Sequence, residues 1–213
     1  MDGILKQNPI HDKTFLMSNK KKFIAELISS ILHPIVVPVV AYWILLEQAF
    51  PENSHRYYYL FTLFIFFTVI PSIMVISLKK KGKITDYDIS NRSQRAVPLA
   101  IAVVAYLIGY LILEHLNAPR IISGLLIFYA MNTLILMLIT FRWKISVHLS
   151  SFTAPLAVLF VQFGPVVLWA LLLTPFLIWS RVFLKAHTLM QAIAGSIMGF
   201  LLLFFEISIW LNL

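Results

Sequence analysis

Apolar residues in this chain run on without alternating with polar ones. From Phe23 to Leu211 they form long continuous stretches, parted by short polar segments. A helix needs about 20 apolar residues to cross a hydrocarbon core of about 30 Å. Inside lipid the backbone must satisfy its own hydrogen bonds, which leaves only helices or closed barrels. Barrel strands alternate in polarity, and these stretches do not. The pattern therefore predicts an all-α, polytopic transmembrane helix bundle of about six to seven spans. The candidate spans are 23–46, 57–78, 97–113, 121–141, 145–163, 165–180 and 188–211. The fifth and sixth form one apolar tract from Lys144 to Arg181, interrupted only by Gly164-Pro165. Proline lacks a backbone donor and disfavours helix at the residue before it, so a tight turn there would give two short spans. The alternative is one long kinked helix, which would move the rest of the chain to the other face.

Residues 1–22 are polar, end in Lys20-Lys21-Lys22, and read as a cytoplasmic N-terminal segment; residues 23–213 read as a single transmembrane domain. The apolar stretch that follows is too long for the core of a cleavable signal. The chain is 60% hydrophobic and 12% charged, about half the charged fraction of a soluble domain. It has no cysteine, which excludes disulfides, thiolate metal sites and cysteine nucleophiles. The formal charge of +8 points to topology and anionic headgroups rather than to nucleic acid.

With seven spans, only Arg56 and Arg120 of the 17 basic residues fall on the face opposite the N-terminus, leaving 17 − 2 = 15 on the N-terminal face. Basic loops stay inside, so that face is expected to be cytoplasmic. Trp43, Trp143, Trp169, Trp179 and Trp210 fall near span ends, where indoles prefer to sit.

Three polar clusters interrupt the apolar text: 79–95, 142–148 and 180–191. Two spans separate the first from the second, and two more the second from the third. An even number of crossings brings all three to one membrane face. Together they offer arginines, two histidines and a serine, a set suited to a phosphate ester. Guanidinium groups bind phosphate oxygens in bidentate fashion and stay charged when partly buried. One histidine can attack phosphorus while a second protonates the departing alkoxide. His187 and Gln191 lie four residues apart on one helix face, so the glutamine carbonyl is expected to orient the imidazole.

The third cluster resembles the third signature of the type 2 phosphatidic acid phosphatase and haloperoxidase superfamily. Ser180, Arg181 and His187 match at the family spacing, and Gln191 stands where the family has Asp. Ser146 and His148 match the second signature, with Ile145 and Val147 replacing its Pro and Gly. Arg92 and Arg95 are candidates for the arginine of the first signature, with Lys83 near its lysine. The pattern is similar to a divergent bacterial branch of that superfamily, and the resemblance implies a bacterial inner membrane. The resemblance implies an integral membrane lipid phosphate phosphatase, cleaving a phosphate or diphosphate monoester through a phosphohistidine. His187 would be the nucleophile and His148 the general acid. Arg181, Arg95, Ser146, Arg92 and Lys83 would hold the phosphate. No cofactor or metal would be needed, and the partners would be membrane lipids and a phosphorylated lipid substrate.

Two other functions fit parts of the sequence. One is a catalytically silent lipid-binding or scaffold protein, consistent with a neutral Gln191. The other is an intramembrane prenyltransferase-like enzyme, because Asp86-Tyr87-Asp88 with Asn91, Arg92 and Arg95 resembles an aspartate-rich loop. That chemistry needs a second such loop, which the sequence lacks. Elsewhere, His33-Pro34 and Pro38 read as a kink in the first span. Asn132 is expected to bond to a neighbouring helix, Gly195 and Gly199 to let helices approach, and Glu206 to reach the outer interface.

Overall fold

The computed structural model describes residues 9–213, with side chains from residue 19 onward. Among these residues the architecture is all helical. Five helical stretches are long and apolar enough to cross a bilayer: Arg56–Lys80, Arg92–His115, Arg120–Thr140, Val147–Phe183 and Leu189–Leu211, with Val37–Ala49 shorter. Large apolar side chains such as Ile73, Leu111, Trp169 and Ile209 point outward, as lipid contact requires.

The first predicted span is two helices. α1 (Pro9–Ile31) starts well before the expected boundary at residue 22, and α2 (Val37–Ala49) opens with a proline in its first turn. Between them the helix breaks at His33-Pro34. Pro34 cannot donate its share of the helical ladder. Within the break, the Ile35 carbonyl accepts from Thr68 Oγ1 at 2.8 Å.

The second span runs from α3 (Arg56–Phe64) through a π-helical turn, Ile65–Val69, into α4 (Ile70–Lys80). Pro71 removes the N–H that would continue the ladder, and the extra residue of the π turn absorbs the mismatch. α5 (Ala96–His115) and α6 (Arg120–Thr140) form an antiparallel pair, with α6 buried over most of its length.

The Lys144–Arg181 tract folds as two limbs. α7 (Val147–Phe163) ends at Gly164, a 3-10 stretch follows to Leu173, and α8 is Thr174–Phe183. A straight helix over all of this would be about 55 Å long, nearly twice a bilayer core. Instead His187, only a few residues beyond α8, bonds Lys144, just before α7. The two limbs must therefore run antiparallel. Gly164 makes the reversal with φ +75°, a left-handed value open to glycine.

α9 (Leu189–Leu211) packs along α7. Gly195 and Gly199 make the fit, because a Cβ at either would strike the carbonyl of Ser146 or Ser150. Asn132 Nδ2 donates to Glu206 Oε2 at 2.7 Å, tying α6 to α9. Glu206 thus has an interhelical partner rather than the interface expected for it. At the end remote from the polar clusters, Trp210 Nε1 donates to the Arg120 carbonyl and the guanidinium lies over the indole at 4.9 Å.

Candidate active site

The three polar clusters meet at one end of the bundle. The loop after α4 is shaped by Asp86, whose carboxylate accepts from Ser90 N and Ser90 Oγ. Burial alone would raise the Asp86 pKa, but these bonds and one from Thr85 hold it below the usual carboxylate value. Arg95, 5% exposed, begins α5 and donates from Nε to the Ile89 carbonyl at 2.8 Å and from Nη1 to the Ile145 carbonyl at 3.2 Å. It thereby joins the first cluster to the second. Ile89 adopts φ +50°, a costly conformation for a β-branched residue, held in place by this contact.

Ser146 is the N-cap of α7; its buried hydroxyl accepts from Leu149 N. Its own N–H donates to the Gln191 carbonyl at 3.2 Å, which fixes the second cluster to the third. After α8 the chain turns tightly, with Lys185 at φ +55° and the His187 and Ala186 N–H groups both donating to the Arg181 carbonyl. Thr188 and Gln191 then form a reciprocal capping box that starts α9.

His187 Nδ1 lies 3.1 Å from the Lys144 carbonyl. A carbonyl can only accept, so Nδ1 carries the proton and Nε2 keeps its lone pair. Burial, together with Arg95, lowers the His187 pKa to about 4. The imidazole is therefore neutral over the physiological range. Lys144 is also shifted down, first by burial and then by Arg95 and Arg181.

His187, His148 and Arg95 line one cavity of about 170 Å³. Its polar end also carries His33 and Asp88. Its walls are apolar, from Phe67, Pro71, Met74, Ala102 and Leu136, and Asn132 lies deeper among them. The π turn and the break at His33-Pro34 both open onto this space. Irregular backbone at membrane depth is tolerated where it lines a cavity.

No family model, curated protein or solved structure matches the chain.

Several expected site residues lie elsewhere. The Gln191 side chain accepts from Thr188 N at 3.1 Å and is spent on the capping box, so the Lys144 carbonyl orients His187 in its place. Arg181 is 2% exposed and stands behind the cavity, donating from Nη1 to Ser29 Oγ at 2.6 Å and from Nη2 to Asp88 Oδ2 at 3.0 Å. Ser146 is committed to its cap. Arg92 borders a separate hollow with Met137 and Phe141, and Lys83 is exposed in the loop after α4. Conversely, His33 and Asp88 face the cavity, although the sequence pattern suggested only a kink at His33-Pro34. A polar residue at a helix break within an apolar run was the available signal for His33.

Proposed function

We propose that this protein is an integral membrane lipid phosphate phosphatase of the type 2 phosphatidic acid phosphatase kind. The observation that carries the reading is His187: its Nδ1–H is held by a backbone carbonyl, leaving Nε2 free in a cavity shared with His148 and Arg95. The His187 Nε2 lone pair forms a bond to phosphorus as the ester P–O bond breaks. His148, made an imidazolium by taking a proton at Nε2 from the entering phosphate monoanion, passes that proton to the departing lipid alkoxide and returns to the neutral ring. Water then attacks the phosphohistidine, its proton returns to His148, the N–P bond breaks and inorganic phosphate leaves. Arg95 contacts the phosphate from the cavity wall, while Arg181 acts from behind Asp88 through its charge. The substrate is a lipid phosphate or diphosphate whose head lies at the polar end and whose first carbons meet the apolar walls. The site faces the cytoplasm, on the strength of the basic-residue asymmetry.

The test is phosphate release by purified protein in detergent with EDTA, from phosphatidate, phosphatidylglycerophosphate and a polyprenyl diphosphate. Release is expected from wild type and not from His187→Ala. A second reading is a catalytically silent lipid-binding protein. It has in its favour that Gln191 and Arg181 are both engaged by other protein groups. Folded wild-type protein that releases no phosphate from any of these lipids would favour it and overturn the phosphatase reading.

A further inference from the structure

The polar end of the cavity contains a triplet that the proposed reaction does not use as a unit. His33 comes from the break in the first span, Asp88 from the loop after α4, and His148 from the first turn of α7. One ligand atom from each lies within 4.8 Å of the other two. The two imidazole rings meet edge to face with centroids 5.1 Å apart. His148 is 6% exposed, and its Nε2 has no hydrogen-bond partner among the described residues. A buried ring nitrogen without a partner is costly, and a ligand from outside the protein relieves that cost.

We propose that His33, Asp88 and His148 form a binding site for a divalent transition-metal ion of the zinc type. Two imidazoles and one carboxylate are the donors such ions prefer over magnesium or calcium, and three protein ligands leave a fourth position open to the cavity. Arg181 holds Asp88 Oδ2 at 3.0 Å, which fixes the carboxylate as outer partners of metal ligands do and leaves its other oxygen for the ion. Ligand atoms around zinc stand roughly 3.3–3.5 Å apart, so the triplet closes inward by about 1 Å. Asp88, on an exposed loop, has the most freedom to move. Two terms oppose binding. Arg95 and Arg181 repel the ion, an effect that the Asp88 charge partly offsets. Metal on His33 Nε2 also shifts that ring's proton to Nδ1, which gives up the 3.3 Å contact from Ile35 N–H.

The site stands without reference to catalysis; its consequence rests on the phosphatase reading. A metal ion on His148 Nε2 occupies the lone pair that must carry the proton to the leaving group. Filling the site therefore stops turnover, and chelation restores it.

The experiment is titration of purified full-length protein in detergent with Zn²⁺ by calorimetry, and with Co²⁺ by visible absorption. Wild type is expected to bind one ion of each with a Co²⁺ d–d spectrum of low symmetry. His33→Ala and Asp88→Asn, each shown to be folded, are expected to bind at least tenfold more weakly. Stoichiometric Zn²⁺ should abolish phosphate release in wild type, with full recovery on EDTA. Absence of Zn²⁺ binding at micromolar concentration, or equal binding by wild type and both variants, overturns the site. Phosphate release that stays absent with EDTA while the metal titration succeeds sinks the phosphatase reading and leaves the site standing.

Discussion

His187 couples its protonation to both turnover and stability. With a folded pKa of about 4 and an ordinary value near 6.5, the unfolded chain binds more protons between those limits. Folding stability is thus lost as pH falls from 6.5 towards 4, and does not fall further from this group below that. The nucleophile itself stays deprotonated down to about pH 4. The rate of phosphohistidine formation, read in single turnovers by quench flow, should show no loss from this group between pH 7 and 5. It should fall tenfold per pH unit once the pH is well below 4. A break near 6.5 would mean that His187 is not buried against Arg95 in the working protein. His187, His148 and Arg95 were legible in the sequence because their residue types and spacing survive without structure. The orienting role expected of Gln191 was not, because the choice between a neighbouring imidazole and a backbone N–H is decided by cap geometry. The partner of Asp88 was not legible either, because Arg181 lies 93 positions away.

Between helices, small residues and one polar pair set the packing. Gly199 faces the rigid carbonyl of Ser150, whereas a Cβ at Gly109 would meet the Leu126 side chain and the Phe66 ring, which can shift. Gly199→Ala is therefore expected to cost about 1–3 kcal/mol and Gly109→Ala less, measured by unfolding in mixed detergent micelles. The reverse order would remove the α7–α9 seam as the tightest contact. A double-mutant cycle with Asn132→Leu and Glu206→Leu should give a coupling of about 0.6 kcal/mol, and at most about 1.7, in the same assay. A coupling of zero would mean that the pair does not form in the folded protein. Helix type and approximate limits were readable from hydropathy alone. The reversal at Gly164 was left open by the sequence, because each limb is short for a span and a Gly-Pro pair serves either a kink or a turn. Contact between His187 and Lys144 decides it.

For the whole molecule, an odd number of crossings separates the loop holding Ser90 from that holding Asn117, so the two lie on opposite faces. The chain has no cysteine, so single cysteines placed at these positions report without background. In intact cells, an impermeant maleimide should label Asn117→Cys and spare Ser90→Cys; the opposite pattern would put the proposed site outside. The convergence of the polar clusters was foreseeable from counting crossings, whereas the part played by the first helix was not. Ser180 Oγ donates to the Ala25 carbonyl, and Arg181 reaches Ser29, contacts spanning 155 and 152 positions of the chain. This clasp bears on how the protein is made. While the ribosome is still delivering the later spans, α1 has no α8 to receive it, and Ser29 has no Arg181 to bind. The candidate site therefore cannot assemble until α8 and the turn carrying His187 have been made and fold back onto α1.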